Sequence, residues 1–245
     1  MAERRDYDAL AQDINLKDIT SCEHNANILR KIRDGDPNWN KKLFIVNEDL
    51  DEENMNDFLV EEGDDLGLLG YFIGQCEVLE KLFIYYLPGG RDEINRFFEG
   101  MSQNRSIKFL AIHSEVGDSW ISLGGFIGNN RNLSRLEFQN IVIGHEDAQH
   151  LASALGRMNH NSLKYLSMDH CEISDEGLAE IATALRLQSQ LKNLQLDDNN
   201  IGIDGCIALG NTLSRLPASN NLKTLHLSGN VIDDGGLQAL VSGLM

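Results

Sequence analysis

Leu222-Lys223-Thr224-Leu225-His226-Leu227-Ser228-Gly229-Asn230-Val231-Ile232 decides the fold, because it recurs. The same frame returns as Leu191, Leu194, Leu196, Asn199 and Ile201, and again as Leu163, Leu166, Met168, Cys171 and Ile173. A looser copy is Leu133, Leu136, Phe138, Ile141 and Ile143. The first leucines of these copies lie 30, 28 and 31 residues apart in chain order. Self-similarity at such a period marks a solenoid, whose units bury their apolar faces only by stacking on one another. Upstream, Ile107-x-x-Leu110-x-Ile112 and Leu79-x-x-Leu82-x-Ile84 continue the series, and Leu43 with Ile45 reads as a first, degenerate strand. The count is about seven strand–helix units.

Each unit changes period part-way. Leu194 and Leu196 alternate, as in a half-buried strand. Leu178, Ile181 and Leu185 then follow helical spacing, as do Cys206, Leu209 and Leu213, and Leu237 and Leu240. Ser174-Asp-Glu and Asp233-Asp234 offer capping oxygens and first-turn negative charge. Asn199 and Asn230 fall where the chain turns inward, where a buried amide can satisfy backbone groups of adjacent coils.

Carried on Leu163–Leu185, Leu191–Leu213 and Leu222–Leu244, with weaker copies back to about Leu79, this pattern resembles the leucine-rich repeats of the ribonuclease-inhibitor-like subfamily. The resemblance implies an α/β fold: a right-handed leucine-rich-repeat solenoid, or horseshoe, with parallel strands on the concave face and helices on the convex face. Four positions depart from the pattern. Cys171, Ile141, Glu115 and Leu87 stand where asparagine is expected, so the upstream turns should be irregular.

Residues 1–38 read as an N-terminal helical cap, with one helix near Asn25 to Arg33, and 39–245 as the repeat domain. An acidic insertion near 48–65 holds ten Asp or Glu and no Lys or Arg, which suits a solvated loop-and-helix face or a dock for a basic partner. The strand around Leu225 would be an unshielded sheet edge, expected of a fragment of a longer array or of an edge that meets a partner.

With 21 Lys plus Arg against 38 Asp plus Glu, the formal charge is −17. That balance argues against nucleic acid or an anionic membrane as partner, and suits either a basic protein partner or an acidity that only keeps a large surface soluble. Four cysteines in a chain this long make no disulfide framework, and no signal peptide or membrane-length apolar run is present, so a cytoplasmic location is expected. The sequons at Asn104 and Asn132 each sit just before core residues and read as chance matches.

Nothing points to catalysis, a cofactor or a metal. His145 and His150 are five residues apart, whereas a zinc-protease helix needs four. Gly70-x-x-x-Gly74 is too short and polar in its surroundings for membrane dimerisation. Strand residues alternating with the leucines should line the concave face. The candidates for partner binding are Phe83, Tyr85, Tyr86, Phe109 and His113; then Arg135, Glu137, Tyr165, Asp169 and His170; finally Gln195, Asp197, Asp198 and His226. The first half of this surface is aromatic and the second acidic. The expected function is a non-enzymatic protein–protein interaction module. The resemblance also suggests a regulator of an enzyme, of the GTPase-activating or nuclease-inhibitor type, and a fragment of a larger leucine-rich-repeat sensor or receptor is a third reading.

Overall fold

A computed structural model describes residues 15–36, 38–47, 56–61, 63–158, 162–215 and 222–244. Residues 1–14 of the cap and residues 48–55 and 62 of the acidic stretch lie outside the described residues. Among the described residues two helices precede the sheet, α1 (Leu16–Ile19) and α2 (Glu23–Asp34), the second ending on Gly35 in a left-handed conformation with φ 64°. They bury Leu16, Ile19, Ile28, Leu29 and Ile32.

The strands are β1 (Lys42–Val46), β2 (Asp57–Leu59), β3 (Lys81–Ile84), β4 (Phe109–Ile112), β5 (Arg135–Gln139), β6 (Tyr165–Asp169), β7 (Asn193–Gln195) and β8 (Thr224–His226). The helices after them are α3 (Leu66–Gln75), α4 (Arg91–Met101), α5 (Trp120–Asn129), α6 (His145–Arg157), α7 (Asp175–Leu185), α8 (Ile203–Leu213) and α9 (Asp234–Leu244). All eight strands form one parallel sheet in the order β2-β1-β3-β4-β5-β6-β7-β8, and from α3 onward each helix packs on the next in chain order. This is an open leucine-rich-repeat solenoid of the α/β type. One element differs from the sequence expectation. Within the acidic insertion, Asp57–Leu59 is a strand that extends the sheet beyond β1. Asn25 anchors it, its amide nitrogen donating to Leu59 O at 2.6 Å and its Oδ1 accepting from Leu59 N at 2.9 Å.

The frame leucines form one continuous apolar core from Leu43 to Leu209, most of them fully buried. Cys171 and Cys206 belong to it, and burial pushes the Cys171 thiol up to about 12, which leaves it an inert apolar side chain. The last unit departs from expectation. Leu237 occupies the helical position of the fully buried Leu178 and Cys206 yet is 57% exposed, because among the described residues no further unit packs on α9.

Polar ladders run along both edges of this core. Where strands turn into helices, Asn199 Oδ1 accepts from Cys171 N (3.1 Å) and Ile173 N (2.9 Å), while its Nδ2 donates to Met168 O (2.8 Å) and Leu196 O (3.0 Å). Asn230 repeats the pattern one unit on, accepting from Ile201 N and donating to Leu196 O and Leu227 O. Upstream, the Glu115 carboxylate takes over part of the task by accepting from Val142 N at 3.0 Å, and Ser114 Oγ accepts from Leu87 N. The turn after β4 is irregular, a short 3-10 segment at Gly117–Ser119.

The second ladder lies where helices turn back into strands. The buried Asn104 donates to Ile73 O and Cys76 O and accepts from Ser106 N and Ile107 N. Asn130 repeats this with Asn132 N and Leu133 N. The Asn104 sequon is therefore a structural amide, fully inside the protein.

Candidate functional site: the concave face

Strand register sorts the concave side chains into three rows. The first is Lys42, Lys81, Phe109, Arg135, Tyr165, Asn193 and Thr224. The second is Phe44, Phe83, Ala111, Glu137, Ser167, Gln195 and His226. The third, at the strand ends, places Gln139 beside Asp169 and includes Tyr85, His113 and Asp197.

The aromatics do not stand apart. Phe44 stacks on Phe83 with ring centres 4.5 Å apart, and Phe83 meets Phe109 edge-on at 4.8 Å. The Arg135 guanidinium then lies over Phe109 at 4.9 Å and over Tyr165 at 3.9 Å, so a cation is held between two ring faces. Glu137 pairs with Arg135, and the Tyr165 hydroxyl donates to Gln195 Oε1. Five side chains from five strands thus form one stacked platform. Phe44 is not among the candidates named from the sequence, although its place between the inward Leu43 and Ile45 puts it on this surface. Ala111, beside Phe83 in the second row, is fully buried.

Tyr85 stacks on His113 with centres 4.6 Å apart and planes 20° from parallel. Burial holds the His113 imidazole below the ordinary histidine range, so the neutral ring is favoured in the folded protein. As pH falls, the unfolded chain takes up this proton first. The His113 contribution to stability is therefore present above the ordinary histidine pKa and declines as pH falls through it. An NMR titration of the His113 ring should show a midpoint below ~6.5, with loss of the Tyr85 ring-current shift on protonation; a midpoint above that value would contradict it.

The acidic half is committed differently. Asp169 Oδ1 accepts from Asp197 N at 2.9 Å, and Asp197 Oδ1 accepts from Ser228 N at 2.6 Å. These carboxylates therefore extend the sheet register as well as facing outward. His226 Nδ1 lies 3.8 Å from Asp197 Oδ2. Tyr86, His170 and Asp198 are exposed and lie past the strand ends rather than in the rows. His170 and Asp198, with Asn140 and Gly229, occupy the left-handed turns that follow β5 to β8, with φ between 52° and 70°. His170 Nε2 and Asp198 Oδ2 are 3.3 Å apart across that turn.

A parallel sheet of stacked strand–helix units, closed by asparagine ladders and presenting alternate strand residues on one face, defines a leucine-rich-repeat protein, and this chain is one. The leucine-rich-repeat family model matches residues 159–182 and 218–241. Human NACHT, LRR and PYD domains-containing protein 5 is 28% identical over 152 residues, covering 50% of this chain and 12% of the relative. Mouse NACHT, LRR and PYD domains-containing protein 4C is 26% identical over 205 residues, covering 82% and 20%. The chain thus spans 12% to 20% of the length of these relatives. Among solved structures, an internalin from Listeria monocytogenes superposes with a TM-score of 0.38 at 15% identity, covering 76% of this chain and 50% of that one.

Proposed function

We propose that this chain is a non-enzymatic protein-interaction module whose concave face binds a protein partner, and that it is the counterpart of the leucine-rich-repeat portion of the large proteins it is similar to. The observation that carries the reading is the platform of Phe44, Phe83, Phe109, Arg135 and Tyr165, flanked by the exposed Tyr85. Aromatic side chains and arginine held in place before binding lose little entropy on contact, and they dominate interface energetics. Buried reduced thiols at Cys171 and Cys206 suit a site of action inside the cell. No described helix is long and apolar enough to cross a membrane.

The test uses a partner captured by photo-crosslinking from a residue analogue placed at Phe83. Tyr85→Ala and Tyr165→Ala should each weaken its binding by roughly tenfold or more. Asp197→Ala should cost less, and that loss should shrink in high salt. Equal, negligible losses for all three would overturn the proposal.

A further inference from the structure

One row of residues runs along the edge where the strands begin, and backbone hydrogen bonds set its register. Lys41 O accepts from Glu80 N, Glu80 O from Lys108 N, and Lys108 O from Ser134 N. Ser134 O then accepts from Lys164 N, Lys164 O from Lys192 N, and Lys192 O from Lys223 N, each at 2.8 Å. With strands about 4.8 Å apart, Lys164, Lys192 and Lys223 stand as immediate neighbours.

The two halves of this row are built differently. In the first, Glu80 sits between two lysines, with Lys41 Nζ at 3.0 Å and Lys108 Nζ at 3.2 Å, and both hydrogen bonds hold its carboxyl below the usual carboxylate range. In the second, Lys164, Lys192 and Lys223 have no acidic partner among the described residues. Like charges directly opposite one another on adjacent strands are destabilising. In sequence, segments 157–164, 186–192 and 214–223 hold Arg157, Arg186 and Arg215 and contain no Asp or Glu, in a chain of formal charge −17. Helix dipoles favour the arginines, which sit at helix C-termini. They do not account for three adjacent lysines at the starts of strands.

We propose that Lys164, Lys192 and Lys223 form a docking rail for an acidic α-helical segment of a protein partner. Its carboxylates would stand between lysines as Glu80 stands between Lys41 and Lys108. A helix fits the spacing: residues three and four apart on one face lie about 5–6 Å from each other, close to the separation of adjacent strands. Same-face residues of an extended strand recur at about 6.6–6.8 Å and drift out of step. A helix about 10 Å wide also stays clear of Asp169, Asp197 and Asp198, about 17 Å further along the same strands; a nucleic-acid duplex, at about twice the width of a helix, would bring its phosphates towards them. This rail does not depend on the concave-face reading, since its residues lie outside the aromatic platform.

The experiment measures fluorescence anisotropy of a labelled, alanine-based helical peptide with glutamates in one stripe at i, i+4, i+7 and i+11. A peptide of equal composition with glutamates spread around the helix and an oligodeoxythymidine serve as competitors. The striped peptide should bind at least about tenfold tighter than the scattered one, and more weakly as salt rises. Lys164→Glu, Lys192→Glu and Lys223→Glu together should abolish binding, the three Lys→Arg changes should preserve it, and Lys17→Gln, on α1, should alter it less than twofold. Circular dichroism checks that each variant is folded; should the triple charge reversal unfold the chain, the three Lys→Gln changes made singly must each weaken binding. Equal binding of the two peptides, tighter binding of the oligodeoxythymidine, or binding unaffected by the Lys→Glu and Lys→Gln changes would overturn the proposal. A concentration-dependent dimer lost in the triple variant would assign the rail to a second copy, and overturn it too.

Discussion

Replacing Asn199 by leucine should lower folding stability by about 3 kcal/mol, although the two side chains are similar in size. Asn199 is buried and binds five backbone groups from two consecutive coils: Cys171 N, Ile173 N, Met168 O, Leu196 O and Asp197 O. Leucine offers none of these bonds, and each buried group left unpaired costs about 1–3 kcal/mol, partly recovered by relaxation. Asn230 makes the same kind of bonds in a half-buried setting, where water can replace the amide. Asn230→Leu should therefore cost only about 1 kcal/mol. Urea denaturation of both variants decides the matter: Asn199→Leu proving no worse than Asn230→Leu would refute the account.

An equally large loss, about 3 kcal/mol, is expected from a single methyl group at Gly70. Helices α3 and α4 touch backbone to backbone. A Cβ built on Gly70 would lie 2.7 Å from Phe97 Cα, and one on Gly100 would lie 2.8 Å from the Gly70 carbonyl carbon. Gly70→Ala must push the helices apart at a seam that holds the fully buried Phe97, Phe98 and Met101. Gly125 in α5 provides the control, since a methyl group added there would meet nothing within 4 Å and alanine should stabilise by about 0.5–1 kcal/mol. The two Gly→Ala substitutions thus carry opposite signs. Thermal melts placing both variants within about 1 kcal/mol of each other would refute the helix-seam reading.

The Gly70 seam shows how one motif can read alike and pack differently. Leu69-Gly-Tyr-Phe-Ile-Gly74 and Leu123-Gly-Gly-Phe-Ile-Gly128 match along the chain, and both form helices. Gly70 and Gly74 face the backbone of Phe97 and Gly100, whereas Gly124 and Gly128 lie against Ala154 and the Arg157 side chain. The motif is the same; the neighbouring coil decides its use. The concave face behaves likewise. Phe83, Phe109 and Tyr165 are legible as outward residues, but only the register of β3 to β6 brings Arg135 between two rings. Asp169 and Asp197 read as free acids and are partly occupied by main-chain N–H groups of the next coil.

The solenoid, its period, its inward leucines and the ladder at Asn199 and Asn230 follow from the linear order of residues, because each depends on alternation within a unit and its return in the next. Strand β2, the amide ladder at Asn104 and Asn130, the tight seam at Gly70 and the stacked platform around Arg135 do not. They depend on which side chain of one coil meets which group of the next, and units of 26 to 31 residues hide that pairing from any fixed spacing. Only the parallel register, set by hydrogen bonds between strands far apart in sequence, brings those partners together.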